Sequence, residues 1–348
     1  MMPEPRPLQN DAIRERSLSK KMSKKKGTEK EKETAPLRKG VVVRNTGSSY
    51  MVKEEDGTET ACRVKGNFRI KGIRTTNPVA VGDHVRIQHA SDDADYIVAV
   101  EPRRNYIIRR ASNLSKESHI LAANLDTAYL VASLRDPLTP TTFIDRFLAT
   151  AEAYDVSAAL ILNKSDLWDE DDREYGEAVA ALYRQIGYPV YIVSAKTGEG
   201  LDTLKEGLQG KVSLFAGNSG VGKSSLINAL VPGADLKTGR ISDVHHTGMH
   251  TTTFSEMIDL PGEGGIIDIP GIRGFGTIDF QPAEVSHYFP EIFEHGKNCR
   301  YSDCKHIDEP GCAVIPAVED HLISESRYAS YLSIMDEIKD PTKYRKPF

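Results

Sequence analysis

The chain has 348 residues, which is long enough for two or three domains, each with its own core. Its net charge is −5, and no run approaches the ~20 apolar residues of a membrane span or the apolar segment of a secretory signal. We therefore expect a cytoplasmic protein with no membrane contact. Three of its four cysteines lie close together, which is not the distribution of a disulfide scaffold.

The first predicted segment is a basic tail, residues 1–38. Residues 1–40 hold twelve Lys or Arg against six Asp or Glu, so the remainder carries a net charge of −11. A basic tail on an acidic body indicates contact with a polyanion. A solvated tail without a partner explains the same composition. We predict that residues 1–38 are disordered until bound.

Residues 39–105 predict a small β-barrel. Five short strands are expected, at residues 40–44, 50–52, 58–64, 79–87 and 95–100. Strands at this spacing without helices favour a five-stranded oligonucleotide-binding (OB) barrel. Basic and aromatic residues in its middle could hold phosphates and stack bases: Arg63, Lys65, Phe68, Arg69, Lys71 and Arg74. A solvated loop beside a structural barrel explains them equally well.

Strands and helices alternate from about residue 118, and we predict an α/β domain over residues 106–282. The expected strands are residues 128–132, 158–162, 189–193 and 212–216, with helices at 142–154 and from 224. The segments with functional motifs directly follow the last three of these strands. Ligands bind at the carboxyl ends of strands in open parallel sheets, so these segments should form one site.

A phosphate loop follows the strand at 212–216. Residues 217–224 match G-x-x-x-x-G-K-[ST], in which backbone N–H groups converge on phosphate oxygens. Lys223 offers a charge to the β- and γ-phosphates, and Ser224 offers a hydroxyl to Mg²⁺. A chance glycine-rich turn is the alternative. The predicted nucleotide contacts are Gly217, Asn218, Ser219, Gly220, Val221, Gly222, Lys223, Ser224 and Ser225.

The segment Asn163-Lys164-Ser165-Asp166 indicates GTP rather than ATP. The Asp166 carboxylate can accept from guanine N1–H and N2–H₂, and adenine has no such donor pair. Asn163 can tie this segment to the phosphate loop, and the stem of Lys164 can lie along the base. The second base-reading segment is Ser194-Ala195-Lys196, in which the Ala195 N–H is placed to donate to guanine O6.

Asp268-Ile269-Pro270-Gly271 is the predicted second switch. Asp268 should reach Mg²⁺ through water, and the Gly271 N–H should sense the γ-phosphate. Asp259-Leu260-Pro261-Gly262 fits the same short pattern. We interpret that segment instead as a hairpin turn between a strand at 253–259 and the strand that ends at Asp268.

The first switch is expected between residues 233 and 253. We predict that Thr252, with Thr251 as the alternative, supplies the hydroxyl for Mg²⁺. Ile272 occupies the position where many GTPases carry a glutamine that orients the attacking water. His250 is our candidate for that task, beside Lys223 and Thr252 as catalytic residues. An exposed switch histidine without a catalytic part is an equally good interpretation.

The C-terminal region, residues 283–348, is predicted to be helical and to bind zinc. Cys299-x₄-Cys304-x-His306-x₅-Cys312 supplies a Cys₃His ligand set, and no acidic residue is placed to act on a metal-bound water. We therefore predict a structural zinc site; three unrelated buried thiols are the alternative. Cys62 is isolated and predicted to lie in the barrel core. Core packing is predicted for Tyr328, Tyr331, Leu332, Met335 and Ile338.

The order of these segments is rotated, because ordinary GTPases place the phosphate loop first and the guanine-reading segment near the end. Over about residues 36–340 the chain resembles the circularly permuted GTPases of the ribosome small-subunit-dependent GTPase A type. The resemblance rests on the rotated order and on four motifs. They are residues 217–225 with the doubled serine, residues 250–253, residues 268–273, and the Cys/His spacing at 299–312.

The resemblance implies a multi-domain fold: an N-terminal OB-type barrel, a central α/β circularly permuted P-loop GTPase and a C-terminal, mostly helical zinc-binding domain. It also implies GTP/GDP, Mg²⁺ and one structural Zn²⁺. The implied partner is the small ribosomal subunit with its rRNA, which is bound late in assembly and stimulates hydrolysis. Two alternatives remain: a protein whose nucleotide only sets its conformation, and a metabolic phosphotransferase. Nothing demands a dimer, so a monomer is expected.

Overall fold

A computed structural model describes residues 36–47, 49–64, 78–90, 94–110, 118–236, 255–269 and 280–339. The chain divides into the units Met1–Leu37 and Arg38–Phe348, and all contacts below lie within the second. The predicted disorder of the tail falls almost wholly outside the described residues. The same holds for Lys65, Phe68, Arg69, Lys71 and Arg74.

The first five strands close into a barrel. They are β1 (Arg38–Asn45), β2 (Tyr50–Glu54), β3 (Glu59–Val64), β4 (His84–His89) and β5 (Asp95–Val100). They pair in the order β1-β2-β3-β5-β4, and β4 pairs back onto β1. Alternate residues point inward and are fully buried, as expected for a barrel interior: Val42, Val52, Cys62, Ile87 and Ile97. The predicted barrel is thus confirmed, as is the core position of Cys62, whose pKa burial raises to about 12.

The predicted fourth strand at 79–87 is wrong in its first half, because β4 begins only at His84. The carboxylate of Asp83 accepts the backbone N–H of Ala80 at 2.8 Å. Gly82 has φ +90°, a left-handed conformation that favours glycine. These two features form a turn whose apolar residues are nevertheless buried. The apolar run at residues 79–81 therefore indicates buried side chains and not a strand.

A two-stranded hairpin, β6 (Tyr106–Arg110) and β7 (Ser118–Ala123), follows the barrel. The sequence pattern did not predict this hairpin. Its buried side chains face two different cores: Ile107 packs with the α/β domain, whereas Ile108 and Ile120 form a small separate cluster. An irregularity in the pairing between Ile107 and Ile108 breaks the strict alternation, which removes the usual strand signal.

The α/β domain has the predicted parallel sheet, made of β8 (Thr127–Ser133), β9 (Ala158–Asn163), β10 (Val190–Ile192), β11 (Val212–Ala216), β12 (Ser255–Asp259) and β13 (Gly265–Asp268). The order is β10-β9-β8-β11-β13-β12, and only β12 runs antiparallel to its neighbour. The helices are α1 (Thr141–Ala153), α2 (Glu170–Ile186), α3 (Leu201–Leu208) and α4 (Lys223–Leu230). Residues 260–264 form the hairpin turn between β12 and β13, which confirms that interpretation of Asp259–Gly262.

The edge strand β12 also pairs with β1 of the barrel. Arg44 lies opposite Glu256 and Asn45 opposite Ser255, so one eleven-stranded sheet runs from the α/β domain into the barrel. Pairing covers the edge of β12, which would otherwise expose unsatisfied backbone groups. The hairpin that carries Asp268 is therefore continuous with the barrel.

The C-terminal region is helical, as predicted: α5 (Pro290–Gly296), α6 (Val314–Glu319) and α7 (Glu325–Lys339). Tyr331 and Met335 are buried, and Tyr328, Leu332 and Ile338 pack against the same core, as expected. Ala149 of α1 belongs to that core as well, so the region packs directly on the α/β domain. Among the residues described, none of the helices combines the length and apolarity that crossing a membrane requires.

Candidate nucleotide-binding site

The phosphate loop joins β11 to α4, and two of its glycines have no room for a side chain. A Cβ on Gly217 would lie 2.4 Å from the carbonyl oxygen of Val131. A Cβ on Gly222, whose φ is +90°, would lie 2.5 Å from Nδ2 of Asn163. The helix α4 starts directly after Gly222, so its N-terminal N–H groups face the loop. The backbone thus has the form that cradles a phosphate chain.

Lys223 brings the phosphate loop to the predicted second switch. Its ammonium group is buried, donates to the carbonyl oxygen of Ile269 at 2.6 Å and forms an ion pair with Asp268. Parallel pairing of β11 with β13 places Phe215 beside Asp268 and so fixes this approach. Ser224 follows on the first turn of α4. A hydroxyl and a carboxylate at this end of the loop are oxygen ligands of the kind that Mg²⁺ takes.

Asn163 ties the base-reading segment to the phosphate loop, as predicted. Its Nδ2 donates to the carbonyl oxygen of Val221 at 2.9 Å in a buried contact. Its Oδ1 accepts the N–H of Ala195 at 3.2 Å. The N–H that we predicted for guanine O6 is therefore used within the protein here, because the Asn163 carboxamide reaches both segments.

Asp166 is held by the second base-reading segment. The hydroxyl of Ser194 donates to Asp166 Oδ1 at 2.7 Å, and the same oxygen of Ser194 accepts the N–H of Thr197 at 3.1 Å. The exposed ammonium group of Lys196 lies 3.6 Å from Asp166 Oδ2. These contacts orient the carboxylate and hold the residues of both predicted segments together.

Lys164 reveals a part of the site that the sequence analysis missed. It has φ +70°, and its ammonium group donates to the carbonyl oxygen of Asp136 in the loop after β8. In the same loop, Pro137 Cδ lies 3.3 Å from where a Cβ of Gly220 would be. This loop therefore contacts the base-reading segment and the phosphate loop. An Asp-Pro turn at the carboxyl end of a buried strand was the available signal.

The second missed residue is Glu199, whose Oε2 accepts the hydroxyl of Ser165 at 2.6 Å. The hydroxyl of Ser165 lowers the pKa of Glu199, so the ionised carboxylate is favoured.

The residues His250, Thr251, Thr252, Gly271 and Ile272 lie outside the described part of the chain, and their roles stay predictions.

Within the described part of the chain, Cys299, Cys304, His306 and Cys312 bring their ligand atoms within 4.8 Å of one another. His306 Nδ1 lies 3.5 Å from the sulfur of Cys299 and 3.6 Å from that of Cys312. Burial raises the pKa of Cys304 to about 12, and a metal ion would offset this by binding the thiolate.

The surroundings of this Cys₃His cluster fit a metal ion. The N–H of Ala313 donates to the sulfur of Cys299 at 3.3 Å, which favours a thiolate. The hydroxyl of Tyr328 donates to the carbonyl oxygen of His306 at 2.7 Å and fixes the backbone of that ligand. Three sulfurs and one imidazole nitrogen at this separation are compatible with tetrahedral zinc.

Two family models match the chain: that of the RsgA N-terminal domain over residues 39–97, and that of the RsgA GTPase over residues 100–278. The chain belongs to the RsgA GTPase family. It is therefore a P-loop GTPase, and the resemblance found in its sequence is confirmed. The match covers the barrel as well as the nucleotide site.

Members of the RsgA family from two bacteria are similar to this chain over nearly their whole length. The small ribosomal subunit biogenesis GTPase RsgA of Bacteroides fragilis is 58% identical over 310 residues, 89% of this chain and 100% of the relative. The protein of the same name from Porphyromonas gingivalis is 60% identical over 314 residues, 89% of this chain and 99% of the relative.

Two solved structures have the same fold. The crystal structure of YjeQ from Thermotoga maritima is 34% identical with a TM-score of 0.69, over 88% of this chain and 99% of that one. The crystal structure of YloQ, a circularly permuted GTPase, is 30% identical with a TM-score of 0.66, over 91% of this chain and 99% of that one. The predicted permuted arrangement is thereby confirmed.

Proposed function

We propose that this GTPase acts in the biogenesis of the small ribosomal subunit. It binds the subunit late in assembly through rRNA, as a cytoplasmic monomer, and the subunit stimulates hydrolysis of GTP to GDP and phosphate. The names of its relatives support the subunit as partner. The basic composition of residues 1–40 supports contact with RNA.

The observation that carries the nucleotide part of the proposal is the bond from Asn163 to the carbonyl oxygen of Val221. It joins the segment with the guanine-reading carboxylate of Asp166 to the loop with the phosphate-binding Lys223. A single guanosine nucleotide can therefore contact both. Because adenine offers no donor pair to Asp166, the cleft selects guanine.

Each side chain of the cleft has a proposed task. Lys223 exchanges its contact with Asp268 for the β- and γ-phosphates, and Ser224 and Thr252 offer hydroxyls to Mg²⁺. Asp268 would reach the same ion through water, and the Gly271 N–H would sense the γ-phosphate. Mg²⁺, when bound, would neutralise charge that develops on the phosphates during transfer. The backbone from Gly217 to Ser225 donates to the phosphate oxygens.

His250 is proposed to position the attacking water, since Ile272 has no polar group for it. The variant His250→Ala should lose most of the turnover measured with small subunits and keep its affinity for GTP. His245→Ala, a change in the same polar segment, is the control. Wild-type turnover of His250→Ala in the presence of the subunit would show that the histidine has no catalytic part.

The proposed domains are the barrel at 39–105, the GTPase domain at 106–282 and the zinc domain at 283–348. The permutation attaches the barrel to one new end of the GTPase domain and the zinc domain to the other. Ordering of the switches by GTP would adjust both neighbours to fit rRNA, and hydrolysis would release them. The proposed task of zinc is structural, because four protein ligands fill a tetrahedral shell and leave no position for water. The nearby Glu309 carboxylate accepts the backbone N–H groups of Lys305 and Ile307.

The decisive experiment is GTP turnover titrated with purified small subunits, large subunits and bare rRNA. Stimulation by the small subunit alone is the expected result, and Lys223→Ala gives the background. No stimulation by any of the three would favour a protein whose nucleotide only sets its conformation. Equal turnover of ATP would overturn the guanine specificity and favour a phosphotransferase.

A further inference from the structure

Two base-reading segments meet in this site, and one carboxylate outside both motifs joins them. Glu199 lies three residues after Lys196 and accepts the hydroxyl of Ser165 at 2.6 Å. Ser165 directly precedes Asp166, the residue that reads the guanine edge. The carboxylate of Glu199 therefore acts one residue away from the specificity group.

The backbone of Glu199 is itself anchored to the second segment. Its carbonyl oxygen accepts the N–H of Ser194 at 3.0 Å, and the N–H of Ser165 donates to the carbonyl oxygen of Val193 at 3.2 Å. Ser165 is buried, whereas the Glu199 side chain is 42% exposed and also lies 3.3 Å from a guanidinium nitrogen of Arg173. Both ends of the Ser165–Glu199 bond are thus fixed by backbone contacts.

We infer that Glu199 is a positioning residue for guanine recognition, which holds Asp166 against the base edge through Ser165. This inference rests on the proposed use of Asp166 as the guanine-reading group. Glu199 does not touch the nucleotide itself, and its effect passes through the turn that begins at Ser165.

The local backbone explains why such a support is needed. Lys164 is held in a left-handed conformation with φ +70°, and a single turn of 3₁₀ helix, Ser165–Leu167, follows. A left-handed lysine is strained, so neighbouring contacts must hold it. A hydrogen bond to an ionised carboxylate is stronger than one between neutral groups. Loss of the Glu199 carboxylate should let the turn relax and move Asp166 off the base edge.

The inference is tested by comparing the affinities for GDP and for inosine 5′-diphosphate. Guanine donates to Asp166 from N1–H and from the N2 amino group, whereas hypoxanthine lacks the N2 amino group. Trp168 is the chain's single tryptophan, lies two residues after Asp166 and offers a fluorescence readout. In Glu199→Ala we expect GDP affinity to fall about tenfold and affinity for the inosine nucleotide to fall less. The preference for GDP therefore narrows. Glu199→Gln, which keeps an acceptor, should retain most of it.

The control is Glu206→Ala, which removes an exposed carboxylate on α3. Ser165→Ala should narrow the preference to the same extent as Glu199→Ala, and the double variant should add nothing further. An unchanged GDP-to-inosine preference in Glu199→Ala, or equal losses for both nucleotides, would overturn the inference. A wild-type protein without preference for GDP would overturn the guanine-specific site as well.

Should Glu199→Ala fail to fold, Ser165→Ala alone decides the question, because it removes the same bond from the opposite side. Arg173→Ala tests the ion pair of Glu199 with Arg173 separately from its bond to Ser165. It breaks the pair with the guanidinium and leaves the Ser165 bond in place. Because Arg173 also lies over the Trp168 ring, at 5.9 Å from its centroid, the affinities of this variant are measured by calorimetry. The GDP preference should then stay at the wild-type value, and a narrowed preference would assign the effect to Arg173 and overturn the inference.

Discussion

Arg44 of the barrel donates through Nε to the carboxylate of Glu256 in β12 at 2.8 Å, where the two residues are direct partners in the sheet. The pair is about half exposed, with side-chain exposures of 46% and 41%. A second ion pair between the barrel and β12 joins Lys53 of β2 to Asp259 at 2.6 Å. The barrel is therefore attached to the strand that directly follows the predicted first switch.

Reversing the charge of Arg44 should modestly weaken the contact between the barrel and β12. Arg44→Glu places two carboxylates opposite each other and should lower the free energy of unfolding by about 0.5–1 kcal/mol, the range for exposed pairs. Urea denaturation measures it, and the deficit should shrink in high salt. The exchange of both charges, Arg44→Glu with Glu256→Arg, should restore the wild-type value. Failure of that exchange to restore stability would show that the ion pair contributes nothing.

Gly222→Ala should abolish nucleotide binding while the fold persists. The new Cβ would meet Asn163 Nδ2 at 2.5 Å and break the bond that joins the two loops of the site. Gly233, three residues after the last residue of α4, is the matched control: its φ is +91°, yet a Cβ there meets nothing within 4 Å. Both variants carry a left-handed alanine, which costs about 1–2 kcal/mol. GDP titration should show loss for Gly222→Ala only, and equal affinities would contradict the clash.

The contact between the phosphate loop and the segment that begins at Asn163 was predictable from sequence, because both segments follow buried strands. Asn163 and Lys223 lie far apart in the chain, but motif chemistry placed both at one sheet edge, and their loops meet there. The hairpin turn after Asp259 was predictable for a related reason. A strand had to fit between the first switch and Asp268.

Other features depend on tertiary contacts that leave no local signal. The pairing of β12 with β1 joins residues more than two hundred positions apart through backbone groups, which every sequence offers. Glu199 acts through its bond to Ser165, and Asp136 acts through a backbone carbonyl oxygen. The apolar residues before His84 resemble a strand because they are buried, but the contact of Asp83 with Ala80 and the positive φ of Gly82 show that they turn.

Substitution of one ligand should show whether the Cys₃His cluster binds zinc. We expect one zinc ion per chain by elemental analysis, and Cys304→Ser should bind zinc more than tenfold more weakly because one thiolate is lost. Cys62→Ser is the matched control, since Cys62 is buried in the barrel away from the cluster. It should keep the full zinc content. A zinc content unchanged in Cys304→Ser would exclude this cluster as the site.

Arg327→Met should be the most destabilising of these changes. The guanidinium is fully buried and donates to Asp145 of α1 at 2.9 Å and to Glu291 of α5 at 2.6 Å. Truncation of one partner leaves buried carboxylates without their cation, which costs about 3–5 kcal/mol. Since Asp145 lies on α1 and Arg327 on α7, the loss should loosen the C-terminal helices from the α/β domain. Urea denaturation, followed by far-UV circular dichroism, measures the deficit.

The pH dependence of that deficit has a definite sign. Burial raises the pKa of Asp145, and Arg327 opposes the rise. Without Arg327 the pKa climbs further, so the folded variant binds a proton that the unfolded chain releases. Stability from that proton is present at low pH and is lost as the pH rises through the folded pKa. The deficit of Arg327→Met should therefore be smaller in acid than at pH 8. The double variant Asp145→Asn with Arg327→Met should lose this dependence, and an equal dependence in both would assign it to another group.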